Sequence, residues 1–335
     1  MVDHRSHSMA KSQPGCWKGL LQPALHDGFF VTTPELPAIL ITLNYMLDVR
    51  QENNMKITFW GTRGSIASPG PDTVIYGGNT TCLELTLSCG TTVIVDAGTG
   101  MRRLGDALAT RPHPLEIYLL MTHVHWDHLM GFPFFQPLFY DQCHITLDGF
   151  RKGLEGLKNI FGRSRVDGTW PISFEDLKAK IEPRQDLSHG SLQIGDTTII
   201  AHRIQHPQGG MGFKFADKSG TFVFLTDNEL REDGWKGTCF PDFVKFCHGA
   251  DLLVHDSQYF PEELAVRKGW GHSDCDSVTR LAVASEVGRL VLFHHDPWRT
   301  DAAVAEMVAR CESALDKAGG GIAVEAAREG QTFQL

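Results

Sequence analysis

The stretch His123-Val124-His125-Trp126-Asp127-His128 constrains this chain more than any other. Three imidazoles and a carboxylate fall within six residues, directly behind Glu116 to Met121, an apolar run with a strand pattern. Leu119, Leu120, Leu129 and Phe132 flank the motif, so its polar groups are carried toward an apolar interior. Burying one such group without a partner costs roughly 2–7 kcal/mol, which makes an idle surface loop a poor account of the spacing. All four side chains are nitrogen or oxygen donors suited to Zn²⁺ and similar ions. In an extended turn His123 and His125 project to one side and can reach one ion. Asp127 and His128 follow where the chain turns toward a helix and can serve a second.

From Met55 onward strands alternate with helical stretches. Strands are predicted at Ile57 to Trp60, Thr81 to Leu87, Thr92 to Val95, Thr198 to Arg203, Gly212 to Ala216, Thr221 to Leu225, Leu252 to His255 and Leu290 to Phe293. Helices are predicted at Gly100 to Ala109, Pro241 to Cys247, Asp276 to Glu286 and Ala302 to Ala314. This order argues a layered α/β sandwich. Further ligand-type residues stand just behind strands: His206, Asp227, His272 and the pair His294-His295. Each alone would read as an ordinary histidine or turn aspartate. Their repetition at strand ends points to one site gathered from several elements.

The chain has 335 residues with 31 basic and 40 acidic side chains, a net charge of −9. Such a surface repels a long nucleic acid, which needs a broad positive track, so a polymer partner is disfavoured. The clearly basic run is Arg151, Lys152, Lys158, Arg163 and Arg165 against Glu155. It is a solvated helix face or a phosphate-binding cover on the cleft, with Phe161, Trp170 and Phe174 nearby to pack or to stack on a base. Eight cysteines form no C-x-x-C pair and read as reduced thiols. No apolar stretch is long enough to span a membrane and no secretory signal precedes the fold, so a cytoplasmic protein is expected. Residues 1–54 carry four prolines and no sustained period. They read as a loosely ordered extension, or as an extra helix around Ile39 to Val49 docked on the body.

The chain resembles metallo-β-lactamase-fold hydrolases, in the branch of ribonuclease Z and the small cyclic-phosphate phosphodiesterases. The resemblance rests on Phe59-Trp60-Gly61-Thr62-Arg63-Gly64-Ser65, Tyr76-Gly77-Gly78-Asn79-Thr80, Asp96-Ala97-Gly98-Thr99-Gly100 and the His123 to His128 motif. It continues through His206-Pro207, Thr226-Asp227, His255-Asp256, Gly271-His272-Ser273 and Phe293-His294-His295. It covers residues 55 to about 300 in matching order, with 144–200 outside it as an insertion near the cleft. It implies an α/β, four-layer αββα sandwich over 55–335 and two divalent ions, Zn²⁺ or Mn²⁺. His123, His125 and His206 would hold the first ion, Asp127, His128 and His294 the second, and Asp227 would bridge them. His294 is preferred to His295 because it stands 22 residues after His272. His295 would then support the ligands or face substrate. Asp256, where the family pattern has a glutamate, would partner His272. A homodimer is also implied.

Two such cations acidify a bridging water enough to supply hydroxide at neutral pH and offset the charge of an anionic substrate. His272 would protonate the leaving alkoxide, or would simply sit at the start of the next helix. Asp127 would serve the reacting centre. Arg63 and Asn79 lie in glycine-rich loops that suit either phosphate binding or tight turns. The expected activity is hydrolysis of a small phosphodiester, a cyclic nucleotide or cyclic phosphate. Ribonuclease Z-like maturation of the tRNA 3′ end is the alternative, and a metal-binding sensor without turnover a third. Hydrolysis of an ester, lactam or thioester fits the motifs from Gly271 onward less well.

Overall fold

Alternation decides which face each strand buries. In the strand Gly220–Leu225, Phe222 and Phe224 turn into one apolar layer, while Val223 and Leu225 turn into another. The computed structural model of the chain describes residues 54–161 and 171–335. The extension, apart from Asn54, lies outside the described residues, as do Arg163, Arg165 and Trp170.

Six strands follow one another in the first sheet: β1 (Lys56–Gly61), β2 (Cys82–Thr86), β3 (Thr92–Val95), β4 (Leu115–Met121), β5 (Cys143–Gly149) and β6 (Lys180–Pro183). Seven make the second: β7 (Ser191–Ile194), β8 (Thr197–Arg203), β9 (Met211–Asp217), β10 (Gly220–Leu225), β11 (Leu252–Asp256), β12 (Arg289–Phe293) and β13 (Ala323–Ala326). The last strand, β14 (Thr332–Gln334), returns to pair antiparallel with β1. The orders are β14-β1-β2-β3-β4-β5-β6 and β13-β12-β11-β10-β9-β8-β7. In both, an antiparallel half passes into a parallel half, at β3-β4 and at β10-β11.

Between the sheets, Phe59, Leu85, Val95 and Leu120 meet Phe213, Phe215, Phe222, Phe224 and Phe293. Each fully buried phenylalanine contributes on the order of 1.5–3 kcal/mol of hydrophobic free energy. Helices Met101–Leu108 and Gly153–Phe161 cover the outer face of the first sheet. Helices Phe240–Cys247, Cys275–Ala284 and Asp301–Lys317 cover the second. The result is a four-layer αββα sandwich, as expected. Residues 144–200 are not an insertion laid over it. The described residues of this range supply most of β5 and all of β6 and β7, and Phe161 and Phe174 pack together with ring centroids 5.9 Å apart. All seven described cysteines are free, and no helix among the described residues is long and apolar enough to cross a membrane.

This topology sends the chain out of several strands at one edge, where it must turn at once. Asp96 behind β3, Asp227 behind β10 and His294 behind β12 adopt left-handed backbone with φ of 62°, 52° and 60°. Such a conformation costs a non-glycine residue about 1–3 kcal/mol, and it turns each side chain back over the strand ends.

Candidate metal centre

Three imidazoles stand in a triangle at this edge. His123–His125, His123–His206 and His125–His206 ring centroids lie 4.6, 4.8 and 4.7 Å apart. Asp227 completes the group, with one ligand atom of each residue within 4.8 Å of every other. Oδ1 of Asp227 lies 3.6 Å from His123 Nε2. Its Oδ2 turns the other way, 3.1 Å from His128 Nε2 and 3.2 Å from His294 Nε2. Asp127 closes this second group, its Oδ2 standing 3.2 Å from both His128 Nε2 and His294 Nε2. All seven expected ligands therefore meet, with Asp227 between the halves. Of the adjacent histidines, His294 lies in the group, while His295 turns away to the Ala327 carbonyl.

A surrounding set of hydrogen bonds aims these rings. Asp96 accepts from His128 Nδ1 at 2.7 Å and from the Thr122 hydroxyl and backbone N–H at 2.6 and 2.8 Å. That leaves Nε2 of His128 as the inward ligand atom. The backbone N–H of Ser65 donates to Asp127 Oδ2 at 2.8 Å, and the Gly271 carbonyl lies 3.2 Å from His206 Nδ1. Asp96 was given no role from sequence. The signal was present in Asp96-Ala97-Gly98, an acid placed directly behind a strand beside the one that carries the histidines.

The site's charges show what it is built to hold. Nε2 of His123 is buried and makes no hydrogen bond, and Nε2 of His128 faces the carboxylates of Asp127 and Asp227. Burial disfavours charge on Asp227 and Asp127, yet the histidines around them hold both carboxyls well below the usual range. Burial likewise opposes protonation of His294, but Asp227, Asp127 and Asp256 together raise it to about 9. Buried carboxylates thus gather imidazoles around themselves, while Nε2 of His123 points inward unbonded. This donor set fits divalent cations.

Beside it, Nδ1 of His272 lies 2.6 Å from Asp256 Oδ2. The shorter carboxylate therefore reaches its partner, and Nε2 of His272 is left to face outward. The helix that follows is capped by Asp274, whose side chain accepts from Asp276 and Ser277 N–H, so His272 is not its cap. The His272 ring stacks on His294 at 5.0 Å.

The three residues expected to touch substrate are occupied within the fold. Arg63 is 0 % exposed and donates to the carbonyls of Gly77, Asp296 and Arg299 at 2.8–3.1 Å. Asn79 gives its backbone and amide N–H groups to Glu329 at 2.7 and 3.0 Å. His295 is buried with Nε2 2.9 Å from the Ala327 carbonyl. These are corrections: each side chain braces a loop.

Burial and the nearby Arg63 push His295 down to about 3. An unfolded chain takes up that proton near pH 6.5, so the contribution of His295 to stability is intact above about 6.5 and is lost as pH falls toward 3. The expected result is a chelator-treated protein whose unfolding free energy drops more steeply between pH 7 and 5 than that of His295→Gln, by about 1 kcal/mol per unit. Equal slopes in urea titrations would refute it.

A four-layer αββα sandwich with paired His/Asp groups at its strand ends defines the metallo-β-lactamase fold class. The family model described as Beta-lactamase superfamily domain matches residues 91–295, and the chain belongs to that family. The ribonuclease Z of Thermoplasma acidophilum is 35% identical over 305 residues, covering 78% of this chain and 92% of that protein. A diphosphatase of the PhnP family has the same fold at 16% identity, with a TM-score of 0.60 over 84% of this chain and 98% of that one. Zinc-bound PqqB from Methylobacterium extorquens does so at 14% identity, with a TM-score of 0.60 over 84% and 100%.

Proposed function

We propose that this protein is a binuclear metal-dependent phosphodiesterase acting on a small substrate, a cyclic nucleotide or cyclic phosphate. The observation that carries the reading is Asp227, which offers one carboxylate oxygen to each group of histidines. His123, His125 and His206 would hold one ion and Asp127, His128 and His294 the other. Zn²⁺ and Mn²⁺ both suit these nitrogen and oxygen donors. When bound, such a pair supplies Lewis acidity and a water acidic enough to react near neutral pH.

The chain's own groups do the rest. Asp256 accepts from His272 Nδ1 and orients the ring, so that in the imidazolium form Nε2–H would donate to the oxygen that leaves phosphorus. Asp96, Thr122 and Ser65 hold His128, His123 and Asp127 still while charge moves. A net charge of −9 supports a small substrate over a long RNA, because a polymer requires many compensating cations. The 35% identity to a ribonuclease Z supports the second reading, cleavage of a tRNA precursor.

One assay separates the readings. Cyclic mononucleotides, cyclic dinucleotides and a tRNA precursor are offered to protein loaded with Zn²⁺ or Mn²⁺. Turnover of a cyclic substrate that stops with chelator and returns with metal is the expected result. Cleavage of the precursor alone would establish the ribonuclease reading. No turnover by fully loaded protein would leave the sensor.

A further inference from the structure

The proposed reaction needs two things held in register, a metal ligand at His206 and a proton donor at His272. They are 66 positions apart in the chain and come from different loops. Three consecutive residues behind β10 join them. Asp227 belongs to the metal centre. Asn228 accepts from the Gln205 N–H at 2.8 Å, next to His206, and its amide lies 3.1 Å from Nε2 of His255, next to Asp256. Glu229 is 1 % exposed, and its carboxylate accepts from Gly269 N–H at 2.8 and 3.0 Å and from Gly271 N–H at 3.0 Å.

The turn Gly269-Trp270-Gly271 leads straight into His272. Gly269 and Gly271 have φ of +89° and +94°, conformations that glycine adopts without penalty and does not itself enforce. Trp270 is 60 % exposed, so burial of a large side chain does not fix the turn. Yet its placement matters on both sides. The Gly271 carbonyl is the partner of His206 Nδ1, and a Cβ at Gly271 would lie 2.1 Å from that nitrogen. A shift of this backbone would move the His206 ring and the base of His272 together.

We infer that Glu229 is a positioning residue, which pins the Gly269–Gly271 turn so that His206 and His272 face the same substrate. It touches neither. It acts through backbone N–H groups, and a buried carboxylate is the acceptor that holds them most strongly. This inference rests on the proposed roles of His206 and His272. Outer partners of this kind typically carry 10–100-fold in activity or metal affinity.

Glu229→Gln keeps the size and can leave an oxygen at the Oε2 position, but it removes the negative charge and turns an amide NH₂ toward the Gly269 N–H and the Arg231 guanidinium that share Oε1. Hydrogen exchange in a peptide spanning 268–272 is expected to speed up about tenfold in the variant. On a cyclic nucleotide, kcat should fall about 10–100-fold with KM little changed, and the same substitution in a His272→Ala background should cost less than it does in the parent, only the share carried through His206 remaining. Glu229→Asp, which keeps the charge but shortens the reach, should fall between parent and Gln, and it serves if the Gln variant does not fold. Unchanged exchange, or full additivity with His272→Ala, overturns the inference. If the parent protein turns over nothing, the phosphodiesterase reading has failed, and exchange with zinc retention then decides. Faster exchange with looser zinc supports Glu229 as the pin for His206; unchanged values of both remove it.

Discussion

Asp227→Ala protein should be purified with less than half the divalent metal of the parent, measured by elemental analysis, and should carry out the proposed phosphodiester hydrolysis about 10³-fold more slowly. That rate loss corresponds to about 4 kcal/mol of transition-state stabilisation. The reason is the geometry of one side chain. Its Oδ1 faces His123, while its Oδ2 faces both His128 and His294. Removing any other ligand weakens one half, whereas removing Asp227 withdraws a donor and a negative charge from both. Because a ligand that binds only the folded state stabilises it by mass action, zinc should raise the melting temperature of the parent and much less that of the variant. A variant retaining two ions per chain would show that Asp227 does not bridge.

Asp227 was legible in the sequence because it obeys a local rule, an acid immediately behind an apolar run. His206 and the His294 pair stand close behind strands in the same way, and so does Asp96 behind β3, whereas His272 follows the helix Pro261–Arg267 and is marked by its Gly-His-Ser motif instead. What failed to show was partnership across the chain. Arg63 in its glycine-rich loop has the composition of an anion site, but its donors go to backbone carbonyls, Nε and Nη2 to Gly77 and Nη1 to Asp296 and Arg299, the last two over 230 residues away. Asn79 is taken by Glu329, 250 residues on. Neither partner announces itself in the sequence, because a backbone carbonyl or a lone surface-type glutamate carries no pattern. The two sheets were clearest where Val, Ile, Leu and Phe run unbroken, as in β10 and β12. Edge strands such as β6, Lys-Ile-Glu-Pro, are short and largely exposed and so hardly differ from loop. That is why 144–200 reads as an insertion although β5 and β6 extend the first sheet.

The left-handed turns link fold to site in a way that composition hides. Behind β12 the sequence offers two histidines, and either could be a ligand. Positive φ at His294 folds its ring back over the strand ends, and the next residue then pairs parallel with Arg63 in an isolated bridge. Gly64 beside it is required by contact, since a Cβ there would lie 2.4 Å from Nδ1 of His294. The loop that suggested phosphate binding is thus a closely fitted wall behind the His294 ring. Ser65 N–H, bonded to Asp127, is the part of it that reaches the centre.

His272→Ala gives the second large effect, and its size should depend on what leaves phosphorus. An alkoxide leaving group must gain a proton as its bond breaks, and a positioned general acid contributes about 10²–10⁴-fold to such a step. A nitrophenolate departs without one near neutral pH. On a cyclic nucleotide the variant should lose activity across that whole range, while on bis(p-nitrophenyl) phosphate it should stay within about tenfold of the parent. Metal content should change little, because Nδ1 of His272 is bonded to Asp256 at 2.6 Å and its ring lies beside the ligand set. His272 and Asp256 do, however, form a third group with His294 whose ligand atoms lie within 4.8 Å of one another. Loss of metal from His272→Ala, with both substrates slowed alike, would therefore make His272 a ligand and leave the leaving oxygen to find its proton from solvent.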